Sequence, residues 1–412
     1  MMEHKSDHLL RNMLNTTVLV SALGYFVDIY DLIIFGIVRV PSLTALGVPS
    51  DQMINVGVYI LNMQMAGMLI GGIIFGIWGD KKGRLSVLFG SIFVYSVANI
   101  LNAFVTSINF YAILRFVAGL GLAGELGAAV TLVSEVMSKE TRGYGTAIVA
   151  TIGVMGAIAG GIIGELFSWQ TAFIIGGVLG FILLIMRLKM FESGMYKSLE
   201  SSGVSKGNFL KLFTSRDRFL RYLYCILIGL PIWYVVGVLI TFSPEFARVL
   251  GVQDKITAGN AILFTYTGLI FGDFASGFLS QYMKSRRKIV TVFILLTGVF
   301  ILVYLFTRGL SKVEFYGLCI LLGIAIGYWA VFVTTAAEHF GTNLRATVTT
   351  TVPNFIRGSV VPITIGFEFL RPYFGMIYSA LAIGIISIII ALFAIYKLEE
   401  TYDKDLDYFE QV

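Results

Sequence analysis

Charge is scarce in this sequence: 13% of its 412 residues are Asp, Glu, Lys or Arg, while 57% are hydrophobic. A chain so poor in charge cannot cover a soluble fold with solvated groups, which excludes the ordinary water-soluble classes. Cysteine is nearly absent, with Cys225 and Cys319 far apart and inside apolar runs, so neither a disulfide framework nor a thiolate metal site is expected. The three histidines, His4, His8 and His339, are terminal or at the end of an apolar run and are assigned no role. A Gly-rich phosphate loop, metal-ligand spacing and a nucleophile motif in a suitable context are all missing, so no enzymatic activity and no cofactor are expected. Any work the protein performs must draw on a gradient.

What is present is a succession of apolar runs, reflected in a mean hydropathy of +0.84. A bilayer crossing needs roughly 20 such residues in a helix. Twelve runs qualify: 16–40, 53–78, 85–106, 110–137, 144–167, 169–189, 219–247, 257–283, 289–307, 313–338, 346–370 and 373–396. The long polar connection follows the sixth run and divides six spans from six. The expected fold is an all-α membrane protein of two pseudo-symmetric six-helix bundles: 1–190, a linker at 191–218, 219–400, and a tail at 401–412. The net charge of +5 belongs to orientation, since 22 of the 30 Lys and Arg fall on the side holding both termini and 6 on the other. The positive-inside rule makes that side cytoplasmic, and no basic cluster remains for nucleic acid. The first apolar run is too long for a signal-peptide core, so no cleavage is expected.

The second and third runs are joined by Gly76-Ile77-Trp78-Gly79-Asp80-Lys81-Lys82-Gly83-Arg84, a charged turn at the membrane surface. The two halves echo one another: Glu135 is followed seven positions on by Arg142, and Glu338 seven positions on by Arg345. Gly156, Gly160 and Gly164 stand at four-residue spacing, which suits close helix packing in lipid. Pro231, Pro353 and Pro362 are expected to interrupt the helices that carry them.

The Gly79-Asp80-Lys81-x-Gly83-Arg84 turn on a twelve-span chain resembles the major facilitator superfamily. Three further stretches are similar to its metabolite:proton symporters: Asp28-Ile29-Tyr30-Asp31, Arg115 through Gly119 and Gly124-Glu125 to Gly127, and Glu338–Arg345 followed by Asn354 and Pro362. Ile29 replaces the usual aromatic residue, Asp28 a common Glu, and Leu85 a usual basic residue. The resemblance implies alternating access, with Gly79, Asp80, Gly83, Arg84, Glu135, Arg142, Glu338 and Arg345 gating the cytoplasmic face.

Ionisable groups away from span ends cost about 2.5–3.5 kcal/mol or more each in the bilayer, so each needs a partner or a task. Asp28, Asp31, Arg115, Glu125, Asp273 and Arg357 are of this kind. Asp28 and Asp31 share a helix face, and two close carboxylates favour holding a proton between them; either can instead form a structural bridge to Arg115 or Arg357. Glu125 is a further proton-carrier candidate or a packing residue. Arg357, on one face with Asn354, suits a carboxylate clamp, with Arg115 as another substrate contact, although Arg357 paired with Asp273 is an equal alternative. Trp233, Tyr234, Tyr328 and Trp329 fit a pocket able to hold a quaternary ammonium group.

These features point to a proton-coupled symporter of a small polar metabolite, a carboxylate or zwitterion, working as a monomer in a bacterial inner membrane with both termini cytoplasmic. Rival readings are a proton-coupled exporter, disfavoured because Ala157 rather than Pro follows Gly156, and a carrier-fold sensor, disfavoured by the short polar segments.

Overall fold

The computed structural model describes residues 16–82, 84–125, 142–192, 209–402, 404 and 410. Among them the chain is helical, without a strand. The first half contains α1 (Thr16–Ala45), α2 (Met53–Lys82), α3 (Arg84–Asn102), α4 (Ile108–Leu122), α5 (Arg142–Leu166) and α6 (Trp169–Glu192). After a 3-10 turn at Phe209–Phe213, α7 arrives in pieces: Arg216–Leu227, Leu230–Tyr234, a π-helical turn Val235–Ile240, and Ser243–Val249. Then follow α8 (Ala258–Tyr282), α9 (Arg286–Phe306) and α10, split into Lys312–Ile326 and Trp329–Glu338. The helix α11 (Thr342–Gly358) continues past Ser359 into Val360–Lys397. Within that last run Gly375, at φ 69° and ψ 178°, adopts a backbone open to glycine alone and separates α11 from α12, residues 376–397.

Nine helices among the described residues are long and apolar enough to span a bilayer, and α3 and α4 contribute two shorter apolar segments. Because Thr347–Lys397 counts once among the nine yet turns at Gly375, the spans number twelve, as the hydropathy pattern predicts. Large apolar side chains such as Phe271, Phe278, Ile385 and Phe393 face outward, where lipid rather than water accommodates them.

Burial separates central from peripheral helices. The most apolar windows of α1 and α7 are both 83% buried, against 39% for α6 and 44% for α9. The central pair therefore lies where the two bundles meet. Across that plane α5 packs on α8 and α2 on α11. Within each bundle the tightest crossings use glycine: a Cβ on Gly119 of α4 would lie 2.1 Å from the Gln64 carbonyl of α2, and one on Gly323 of α10 1.9 Å from the Thr265 carbonyl of α8. The Gly156 spacing works similarly, bringing α5 against the Phe26 carbonyl of α1.

The breaks partly follow proline. Gly229 ends the first piece of α7, and Pro231 opens the next, where its missing N–H costs nothing. Pro353, however, lies within continuous α11; the interruption falls at Ser359, and Pro362 occupies the turn beyond it. The fourth span was expected through residue 137; its described helix runs to Leu122, a turn follows at Ala123–Gly124, Glu125 is helical again, and residues 126–137 lie outside the described residues.

Candidate functional site

A cavity lies at the plane between the bundles, with Tyr25 and Ile29 from α1 and Val154 from α5 on one side. Opposite are Trp233, Tyr266, Trp329 and Arg357, from α7, α8, α10 and α11, among aliphatic side chains. It is a narrow cleft, with room for a water among these side chains.

Arg357 is the charged group of this wall and is fully buried. Both of its terminal nitrogens lie 3.5 Å from Asp28 Oδ2 across the plane. Tight charge-assisted hydrogen bonds run to about 2.7–2.9 Å, so this contact is loose. Arg357 Nε, Asp28 Oδ1 and the indole nitrogen of Trp233 are buried without a hydrogen-bond partner. The guanidinium sits 5.7 Å from the ring centre of Trp233 and 5.9 Å from that of Trp329, which meet edge to face. The aromatic faces expected to take a substrate's ammonium group thus already hold the protein's own cation. The alternative pairing of Arg357 with Asp273 is not formed; Asp273 Oδ1 accepts the Ala330 N–H at 3.0 Å and caps the second piece of α10.

Several expected site residues do other work. Arg115 lies inside the first bundle, donating to Asn99 Oδ1 at 2.9 Å and to the Asp31 backbone carbonyl at 3.0 Å, away from the cavity lining. Tyr234 donates to the Ala380 carbonyl at 2.6 Å and Tyr328 to the Ile228 carbonyl at 3.0 Å, so both hydroxyls stitch broken helices to neighbours. Asn354 bridges the halves by donating to the Ala123 carbonyl at 2.8 Å, exposed by the turn that ends α4. Asp31 is fully buried, and neither of its carboxylate oxygens accepts a hydrogen bond. Glu125 is held from two sides by Arg187, on α6.

Arg187 and Arg39 are the residues that sequence reasoning misplaced. Both were counted as loop charges, yet both are buried. Arg39 bonds both oxygens of Glu245 at 2.7 Å, linking α1 to α7 at the face opposite the linker, and stacks 4.6 Å over Phe242. The same face is tied by Thr257 to Glu165 and by Arg371 to Asn55. Both sit within two residues of the ends of the apolar runs 16–40 and 169–189, whereas the helices continue past them to Ala45 and Glu192.

On the linker face, Glu338 accepts from Arg286 at 3.2 Å and from Thr401 at 2.7 Å, while Arg345 donates to the carbonyls of Ala337 and Phe340. Gly79 lies in the helical run of α2. Gly83 and Glu135, and the side chains of Asp80, Arg84 and Arg142, lie outside the described residues.

Two helical bundles enclosing a small charged cavity, tied at one face by a cross-bundle ion pair and two further hydrogen bonds, define a carrier of small molecules. The chain belongs to the Major Facilitator Superfamily, whose family model matches residues 21–364. It is 26% identical over 400 residues to NiaP of Bacillus subtilis (strain 168), named as a niacin/nicotinamide transporter, covering 94% of this chain and 96% of that one. It is 24% identical over 325 residues to the 4-hydroxybenzoate transporter PcaK of Pseudomonas putida, covering 70% and 71%. Its fold is similar to that of a D-xylose-proton symporter, with a TM-score of 0.69 at 13% identity over 95% of this chain and 99% of the other. The protein is therefore a multi-pass membrane transporter of a small molecule, and not an enzyme.

Proposed function

We propose that this transporter is a proton-coupled symporter of a small aromatic carboxylate. The carrying observation is the loose, buried contact between Asp28 and Arg357 at the cavity. A buried guanidinium needs a counter-charge, and Asp28 and a substrate carboxylate compete for it. A proton on Asp28 removes its claim, and the substrate carboxylate then takes the bidentate place on Arg357. Flat walls from Tyr25, Trp233, Tyr266 and Trp329 suit a ring, and the indole N–H of Trp233 offers a donor to a second polar group. Niacin, one of the two compounds in the name of NiaP, and 4-hydroxybenzoate, in that of PcaK, each join a six-membered ring to one carboxyl group and support this choice.

In the same reading the bundles 1–190 and 219–400 rock about the cavity, with linker 191–218 and tail 401–412 in the cytoplasm of a bacterial cell and the carrier acting as a monomer in its inner membrane. Arg39–Glu245 closes the outer face. The motif residues Gly79, Asp80, Gly83, Arg84, Glu135 and Arg142, with Glu338 and Arg345, are assigned to the cytoplasmic gate.

The test is uptake of nicotinate and 4-hydroxybenzoate into proteoliposomes with and without an imposed pH gradient. Wild type should accumulate at least one of them against its gradient only when the pH difference is present. Asp28→Asn should still bind and exchange substrate but not accumulate it. Accumulation by Asp28→Asn equal to wild type would falsify the assignment.

A further inference from the structure

Asp273 lies inside α8, makes no ion pair among the described residues, and has no part in the cycle proposed above. A carboxylate within a span is costly, and the neighbouring Phe271 and Phe274 of α8 face lipid rather than water. Its surroundings supply a reason for it. α10 breaks at Gly327 and Tyr328, and a break leaves backbone groups of both pieces without helical partners. Neighbouring helices take them up. Thr297 of α9 donates to the Ala325 carbonyl at 3.0 Å, at the end of the first piece, and Asp273 Oδ1 accepts the Ala330 N–H at 3.0 Å, at the start of the second. Between them the Tyr328 hydroxyl donates to the Ile228 carbonyl at 3.0 Å, at the break of α7. The helices meet closely here. A Cβ on Gly272, next to Asp273, would lie 2.3 Å from the Ile324 carbonyl, and one on Gly327 would lie 2.4 Å from Gly272 Cα.

Trp329 is the first residue of the second piece of α10, and its ring lines the cavity 5.9 Å from the Arg357 guanidinium. The Ala330 N–H belongs to the peptide unit that follows Trp329, so Asp273 fixes one side of that residue while the Tyr328 hydroxyl fixes the other. We propose that Asp273 is a positioning residue for the substrate: standing outside the cavity lining, it holds Trp329 over Arg357 and thereby sets the aromatic wall that a substrate ring meets. This rests on the reading of the cavity as the substrate site. An Asp at a helix start provides the acceptor an orphan N–H needs, and the dipole of the ten-residue piece favours its charge there. At the matching turn of α4 the Ala123 carbonyl is taken across the plane by Asn354, whereas the break of α10 is secured by α7, α8 and α9 of its own bundle. Trp329 and Arg357 therefore travel together when the bundles rock.

Two substitutions separate the acceptor from the charge. Asp273→Asn keeps an oxygen in place without the charge, and Asp273→Glu keeps the charge but carries it one methylene farther. The first readout needs no substrate: the emission of Trp329, taken as the difference between each protein and its Trp329→Phe counterpart. Asp273→Asn should match wild type, and Asp273→Glu should shift the emission maximum. The second readout is counterflow of nicotinate and 4-hydroxybenzoate in proteoliposomes, which requires no net proton transfer. There Asp273→Glu should raise KM about fivefold with the maximal rate within about twofold of wild type, while Asp273→Asn stays within about twofold in both. If Asp273→Glu gives no monodisperse protein, Asp273→Ala, which also lacks the acceptor, is judged by the same two readouts. The reverse pattern, with Asn impaired and Glu intact, would overturn the proposal, as would unchanged emission and KM in both variants. A lowered maximal rate with KM and emission as in wild type would overturn it too, since that marks a structural role alone. Wild type that carries neither acid would remove the carboxylate reading by itself, because the emission comparison still decides whether Asp273 holds Trp329.

Discussion

An offset of 204 carries α1 and α4 onto α7 and α10, while α2 meets α8 at 201 and α6 meets α12 at 208, and the comparison shows how one scaffold hosts two chemistries. Gly119 maps to Gly323, and both sit at the same kind of helix crossing. Tyr30 maps to Tyr234, and both donate to a carbonyl on the last helix of their bundle, Ala172 and Ala380. At the charged positions the halves diverge: Asp31 maps to Val235, Arg115 to Cys319, Glu125 to Trp329 and Arg187, at the α6 offset, to Ile395. The first bundle keeps α1 continuous, turns α4 at Ala123–Gly124, the positions matching the break of α10, and stores charge between its helices. The second replaces that charge with apolar groups, and its helices α7 and α10 break beside the cavity. Those breaks hold Trp233 and Trp329 near the shared plane. One half is organised around buried charge and the other around shape.

The strongest challenge to this division is to install the first bundle's acid in the second. Val235→Asp places a carboxylate at a fully buried position of the π-helical turn, where the counterpart of Arg115 is Cys319. An unpaired buried charge costs several kcal/mol, so the variant should fail to yield a monodisperse peak in detergent size exclusion. Next in size is Glu245→Gln, which strips the counter-charge from Arg39. Breaking a buried pair costs about 3–5 kcal/mol, enough to favour opening of the face opposite the linker. Spin labels on Asp51→Cys and Lys255→Cys, exposed on the two sides of that face, should move apart; the native Cys225 and Cys319 are buried and stay unlabelled. An unchanged distance distribution would show that Arg39 is not the latch.

Tyr234→Phe sharpens the contrast at lower cost. Loss of one buried hydrogen bond should reduce stability by about 1 kcal/mol and leave the ratio of gradient-driven uptake to counterflow as in wild type. The smallest effect concerns the tail. Burial acts to raise the Glu400 carboxyl, but hydrogen bonds from Ser285 and from the N–H groups of Tyr402, Arg286 and Thr401 outweigh it, holding the group below its ordinary 4.5. A group depressed on folding lends stability above its unfolded value, and that contribution fades as pH falls through the folded one. Wild type should therefore be slightly more thermostable than Glu400→Gln at neutral pH, with the difference shrinking below about pH 4.5. A constant difference across that range would remove the assignment.

Much of the architecture was legible because lipid imposes one requirement on every span, and twelve apolar runs meet it. The acids were legible too, since Asp28, Asp31 and Glu125 stand out in apolar sequence. Their partners were not. Arg187 lies 62 residues from Glu125 and near a helix end, so its position along the chain reads as a surface charge. Arg39 and Glu245 meet across 206 residues. The roles of Tyr234 and Tyr328 depended on which carbonyls the breaks in α7 and α10 leave within reach, and a hydropathy pattern carries no such information.

The contact between Asp28 and Arg357 also bears on what the membrane voltage can do. In the proposed cycle the empty carrier crosses with an ionised acid and a cation facing one another. The loaded carrier crosses with a protonated acid and the same cation facing a substrate carboxylate. The site bears no net charge in either crossing, so a potential that would exert about 2.3 kcal/mol per charge per 100 mV finds nothing to act on. Accumulation of a monocarboxylate then follows the pH difference alone, about tenfold for each unit. A dianion gives the loaded site a net charge of one sign and the corresponding neutral amide the other, so an inside-negative potential opposes inward crossing of the first and assists that of the second.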